Sequence, residues 1–223
     1  MFKPFLFTPI YRLLEFLVKT DSTVDSKYVA FPPPSLPPGC LLTRGAISQI
    51  LVTLNSTIAF DNPHLIYQHQ TSNLTLDTTS ASEFCNAIKL PQSGEFDFRI
   101  VLVSGRSVAH NTPFIFGAFM QGLAPDEEIV PRYADDWERS LLFQLAPVHD
   151  VFRSNVGKRA WTSEKDAELW FGEQAAGFAM GFVNGGRRLS VVHKGGYGVY
   201  QTTTWRGDWE LEIEVDKVEV WSG

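Results

Sequence analysis

The chain has 223 residues, a formal net charge of −6, 44% hydrophobic residues and 20% charged residues. That composition excludes a disordered or collagen-like chain, and its acidity argues against a general nucleic-acid binder. A chain this long buries about 70–75% of its unfolded surface and needs no metal or disulfide staple.

Ile10, Leu13, Leu14 and Leu17 share one face at helical spacing and predict an amphipathic helix over Thr8–Lys19. Two readings stand: it docks on the rest of the protein, or residues 1–19 make a weak contact with a membrane surface or a partner helix. Pro4 and Pro9 break the apolar run, and Arg12 and Glu15 sit within it. We therefore read neither a secretory signal nor a spanning helix, which takes about 20 apolar residues. Without a signal, the sequons at Asn55 and Asn73 carry little weight. Phe31–Gly39 holds five prolines, which exclude a helix or an inner strand. It reads as a spacer, with an SH3-type ligand as the alternative. The organisation is an N-terminal appendage over 1–30, a Pro-rich linker over 31–39 and a domain over 40–223. Cys40 and Cys85 are too few for a disulfide framework and read as reduced thiols.

Ile47, Ile50, Leu51, Leu54 and Ile58 predict a second amphipathic helix, and His64–Tyr67 a short strand. Ser80-Ala81-Ser82-Glu83 is a capping box. The helix it opens has Phe84, Cys85 and Ile88 on its core face and stops at Pro91. From Phe96 the period changes. Apolar runs at Phe98–Val103, Phe114–Met120, Leu141–Leu145, Val148–Phe152, Gly177–Val183 and Leu189–Val192 predict strands, and Asn184-Gly185 marks a hairpin between the last two. Trp209, Leu211, Ile213 and Val215 alternate with Glu210, Glu212, Glu214 and Asp216, but Val218 and Val220 fall on the other parity. One flat strand cannot bury both sets on one face, so the expectation is either a bulge near Asp216–Lys217 or a strand whose second half is covered on the opposite side. Successive strands without intervening helical pattern argue antiparallel pairing. The expected class is α+β: helices first, then two mostly antiparallel sheets packed as a sandwich.

No Cys-x-x-Cys, His-Glu-x-x-His, Walker A or Gly-x-Ser-x-Gly pattern occurs. Gly195-Gly196-Tyr197-Gly198 lacks the strand-to-helix setting of a phosphate loop and reads as a turn or bulge. His64, His69, His110, His149 and His193 have no second ligand at close spacing, and each reads as a surface or core residue. No catalytic residue, cofactor or metal is assigned. The alternative is a small hydrolase or redox enzyme whose fold gathers His149, Asp150 or His193 with acids near Glu138. Asp126–Glu138 carries six acids and reads as a solvated loop, not an EF-hand. Arg187, Arg188, Lys194 and Arg206, with Tyr197, Tyr200 and Trp205, form a basic aromatic stretch. It either binds an acidic partner or pairs across strands with the acids that follow Asp208.

Phe114-Ile115-Phe116-Gly117-Ala118-Phe119, then Leu141-Leu142-Phe143-Gln144-Leu145, then Val218-Glu219-Val220-Trp221, in this order, resemble the TLDc family of oxidation-resistance proteins. Leu65-Ile66-Tyr67 and the helix after Ser80 are similar to its "leu-leu-tyr" strand and following helix. The match runs from about Ala46 to Ser222. Gly117, Phe119, Phe143, Gly172, Glu219 and Trp221 fall on motif positions, and Gly177 and Gly181 match the glycine-rich region loosely. We read all of these as mainly structural, with Trp221 capping the core. The segment Gln121–Trp137 departs from the family as a divergent insert. The resemblance implies a sandwich flanked by helices and a non-catalytic interaction domain. It further implies protection against oxidative stress, binding to the cytosolic sector of the vacuolar-type proton pump, and a cytoplasmic location, at a vacuolar or other organelle surface. Arg187, Arg188, Lys194, Tyr197 and Arg206 are the candidate partner-binding residues.

Overall fold

A computed structural model describes residues 36–53, 63–70, 78–88, 98–121, 140–154, 161–163, 169–196, 198–202 and 207–223. The expected helix over Thr8–Lys19, most of the proline-rich linker and the acidic insert lie outside these residues. The chain divides into two compact units, Met1–Asn62 and Pro63–Gly223.

In the first unit, α1 spans Arg44–Thr53. Thr43 is its N-cap: the hydroxyl Oγ1 accepts the Ala46 N–H at 3.1 Å, and the carbonyl accepts the Ile47 N–H at 2.9 Å. Ile47 and Ile50 are buried, as the spacing predicts, and so is Ala46, whereas Leu51 is exposed. The part of the predicted helix beyond Thr53 falls outside the described residues.

The second unit holds β1 (His64–Gln70), α2 (Thr78–Ile88), β2 (Phe98–Ser107), β3 (Pro113–Gln121), β4 (Ser140–Ala146), β5 (Asp150–Arg153), β6 (Trp161–Ser163), β7 (Leu169–Phe171), β8 (Gly177–Val183), β9 (Arg188–Lys194) and β10 (Trp209–Ser222). Its strands form one hydrogen-bonded sheet in the order β5-β4-β3-β2-β10-β9-β8-β7-β6, with β1 added against β10. Every paired neighbour is antiparallel. The mostly antiparallel α+β class is therefore present, with its helices ahead of the main run of strands.

The central strand explains the broken alternation. On one edge of β10, Trp209–Glu214 pairs with β9 and Lys217–Ser222 pairs with β1; on the other edge, Ile213–Ser222 pairs with β2. The register with β2 slips between Val215 and Lys217, where the parity argument put a bulge. The slip lets Ile213 and Val215 before it, and Val218 and Val220 after it, join the same apolar cluster.

Other boundaries move. Val148 is half exposed in a turn, so the predicted strand there begins at Asp150. The helix α2 starts at Thr78, two residues before the predicted capping box. The Asn184-Gly185 hairpin forms, with Asn184–Arg187 looping between paired Val183 and Arg188.

The main cluster gathers Val101 and Val103 (β2), Phe116 and Ala118 (β3), Phe152 (β5), Phe171 (β7), Phe178 and Met180 (β8), Val191 (β9) and the β10 valines. Phe152 and Phe178, on strands far apart in the sheet order, stack with centroids 3.6 Å apart and planes 4° from parallel. Phe84 of α2 contacts Tyr67 at 5.5 Å and Phe182 at 5.1 Å, which places the helix over one end of this core. Arg99 donates its Nε–H to the Ala87 carbonyl at 3.1 Å, satisfying one of the orphan acceptors at the C-terminus of α2.

Residues 198–201 act as a strap. Tyr200 bridges both Ser154 and Phe178. Its carbonyl accepts the Phe178 N–H at 3.0 Å, and the Arg153 carbonyl accepts the Gln201 N–H at 2.9 Å. The buried Tyr200 hydroxyl donates to Ser140 Oγ at 3.3 Å. Burial pushes its phenol far above the ordinary value, with the Ser140 bond opposing in part.

Candidate functional site

The basic stretch lies beside the acidic face of β10. Because side chains alternate along a strand, Glu210, Glu212 and Glu214 all project to one exposed side. Across from them on β9, Arg188 Nη1 lies 2.9 Å from Glu212 Oε2, and Lys194 Nζ lies 3.1 Å from Glu210 Oε1. Glu214 sits in register with Arg188 on one side and Arg106 on the other. Arg187 is exposed in the hairpin loop, where its carbonyl accepts the Val215 N–H at 3.0 Å. Tyr197 and Arg206 lie outside the described residues, as does Trp205. The described part is a strip of alternating charge, the cross-strand pairing weighed above. Pairs this exposed contribute less than about 1 kcal/mol each, so they set register and surface potential more than stability.

The histidines considered for catalysis occupy different settings. His193, at the end of β9, is 1% exposed. Its Nδ1 lies 2.9 Å from the Gly207 carbonyl, which can only accept, so Nδ1 carries the proton. Trp209 stacks on the ring at 5.2 Å, and Phe152 meets it edge-on at 5.9 Å. The other nitrogen, Nε2, is buried without a hydrogen-bond partner. Among the described residues, this histidine is held by two rings and a carbonyl, and no carboxylate hydrogen-bonds to it.

His149 is exposed in the turn between β4 and β5. Partial burial lowers its pKa from the ordinary 6.5, and the neighbouring Asp150 carboxylate opposes that shift. Asp150 Oδ1 accepts the Val151 N–H at 2.9 Å. Glu138 lies outside the described residues. The sign of the pH effect follows from linkage. With its folded pKa below the unfolded one, His149 contributes stability at pH values above the ordinary histidine range, and that stability falls as pH drops through about 6.5 because the unfolded chain takes up the proton first. A series of urea melts across this range is expected to slope less for His149→Gln than for the parent chain. Equal slopes would remove His149 as a contributor.

The residues read as motif positions sit in close-packed surroundings. Gly117 pairs with Phe143 across β3 and β4, and a Cβ on Gly117 would overlap the Phe143 ring and lie 2.6 Å from the Val101 carbonyl oxygen. Phe119 stacks on Phe98 at 5.8 Å. Gly172 follows β7 with φ +87°, in the left-handed region that favours glycine. Gly181 is covered by the Trp170 ring, which a Cβ would strike.

Glu219 is fully buried. It is paired with Lys217 Nζ at 2.7 Å and accepts the Trp221 indole N–H at 2.9 Å. Residues 217, 219 and 221 face away from the valine cluster by strand alternation, so Trp221 packs on the opposite side of β10 from the core it is expected to cap. Sequence reasoning missed Lys217. The only available signal was its position two residues before Glu219, on the same face.

Among the described residues, no group of three or more His, Cys, Asp or Glu is placed to hold a metal ion, and no helix is long and apolar enough to cross a membrane. Cys40 and Cys85 form no disulfide. Comparison with models of protein families and with curated proteins found no match.

Proposed function

We propose that this chain is a non-catalytic TLDc-like interaction domain that acts by binding, as a regulator of the vacuolar-type proton pump and of protection against oxidative stress. One observation carries the reading. The three motif runs quoted above, scattered over more than a hundred residues, fall on β3, β4 and the central β10, and their glycines, aromatics and buried carboxylate serve packing. Within this reading the sheet folds over as a two-layer sandwich, β2–β5 facing β7–β9, and the stack of Phe152 on Phe178 supports that arrangement. The partner is the cytosolic sector of the pump, met at an organelle surface, and the strip around Arg187, Arg188 and Lys194 is the first surface to test. Purified chain immobilised as bait in a eukaryotic lysate is expected to retain pump subunits through a moderate-salt wash. Retention of none of them overturns the pump assignment.

A further inference from the structure

The β8–β9 hairpin loop carries a chemistry that the binding function does not use. Asn184 has a positive φ of 53° and is followed by Gly185 (φ 65°) and Gly186 (φ 79°). Asn184 and Gly185 are both exposed. The loop's backbone bonds run from Gly186 N–H to the Val183 carbonyl at 3.1 Å and, at the long limit of 3.5 Å, from Arg187 N–H to the Asn184 carbonyl. The Gly185 N–H donates to nothing among the described residues. Gly185 has no side chain to shield its nitrogen.

From this arrangement we infer that Asn184 is a site of spontaneous, self-directed deamidation. Once hydroxide removes its proton, the Gly185 backbone nitrogen attacks Asn184 Cγ. A new N–Cγ bond closes a five-membered succinimide, the Cγ–NH2 bond breaks, and the departing group leaves as ammonia after protonation by water. Solvent water then adds to either ring carbonyl. One opening leaves aspartate; the other leaves isoaspartate, which routes the main chain through the former side chain. No oxidant or reductant takes part. Either product adds one negative charge to a chain of net charge −6, beside Arg187 and Arg188. Isoaspartate also lengthens the backbone between the paired residues Val183 and Arg188, so it works against the β8–β9 register.

The fold supplies an internal control. Asn111 also has a positive φ, 55°, and is exposed, but the next residue is Thr112, whose branched side chain crowds the attacking nitrogen. The test incubates the full folded chain at neutral and mildly alkaline pH and maps NH2-to-OH exchange and isoaspartate by peptide mass spectrometry. Asn184 is expected to convert several-fold faster than Asn111, at a rate rising in proportion to hydroxide, with an acidic species growing on isoelectric focusing. Asn184→Gly, which tolerates the positive φ and has no side-chain amide, is expected to remove that species while keeping the parent circular dichroism spectrum. Conversion at Asn184 no faster than at Asn111 overturns the inference. So does conversion at Asn184 only in the urea-unfolded chain, since the folded loop would then be protective.

Discussion

Replacing Glu219 by leucine is expected to cost about 3–5 kcal/mol, while replacing Lys217 by methionine in the same chain recovers much of the loss. Glu219 is fully buried and Lys217 nearly so, with side-chain exposures of 0% and 13% and an ion pair of 2.7 Å. Removing one charge leaves the other in an apolar setting without this partner, and desolvation then counts in full. Removing both leaves the Trp221 indole N–H without its Glu219 acceptor, a penalty of about 1–3 kcal/mol. Urea denaturation of the parent, the two single variants and the double closes the cycle. If the double variant is as unstable as Glu219→Leu alone, the pair is not what holds this face of β10 together.

The second large effect is expected at Gly198, where alanine should cost more than about 4 kcal/mol, a loss that calls for a specific steric cause. A Cβ there would overlap the Ala176 carbonyl oxygen and lie 2.6 Å from its carbon and 2.9 Å from the Gly177 Cα. All three obstacles are main chain, so no rotamer change relieves them. The crowding follows from the strap, because residues 198–200 must run close beside the start of β8 for Phe178 to donate to Tyr200. Gly195 serves as the control. Its Cβ would meet only Asp208 Oδ1 at 3.6 Å, an ordinary contact, so Gly195→Ala should change stability by no more than about 1 kcal/mol. Thermal melts of the two variants that shift equally would show that the close approach does not govern folding here.

These two sites mark where pattern reading succeeds and where it stops. The parity break in the last strand is visible from side-chain period alone, and the slip between Val215 and Lys217 answers it. The Asn184-Gly185 signal likewise finds its hairpin, because the turn's positive φ values restrict the residue types it accepts. The strands β6 and β7 have three residues each, too few to show a period. Gln68, His69 and Gln70 extend β1 because β10 offers an edge to pair with, a partner that polar residues do not announce. For the basic stretch, the acids after Asp208 are visible as cross-strand partners, but which acid meets which base is not. Only the β9–β10 register, which sets Glu214 opposite Arg188, brings Glu212 within diagonal reach of Arg188 and Glu210 within reach of Lys194. Lys217 and Glu219 resemble a solvated face for the same reason: local alternation does not reveal that neighbours flank both edges of that half of β10.

The place of β10 bears on how the protein is made. It is the last strand in chain order, yet it lies between β2 on one edge and β9 and β1 on the other. A ribosome therefore delivers β1–β9 before the strand that joins them exists. Until residue 222 has emerged, β2, β9 and β1 each present a bare edge, the state most open to wrong pairing and to capture by chaperones. Acquisition of the native sheet is thus timed by the emergence of β10, and in a nascent chain stalled before Trp209 the strands β1, β2 and β9 should remain protease-sensitive.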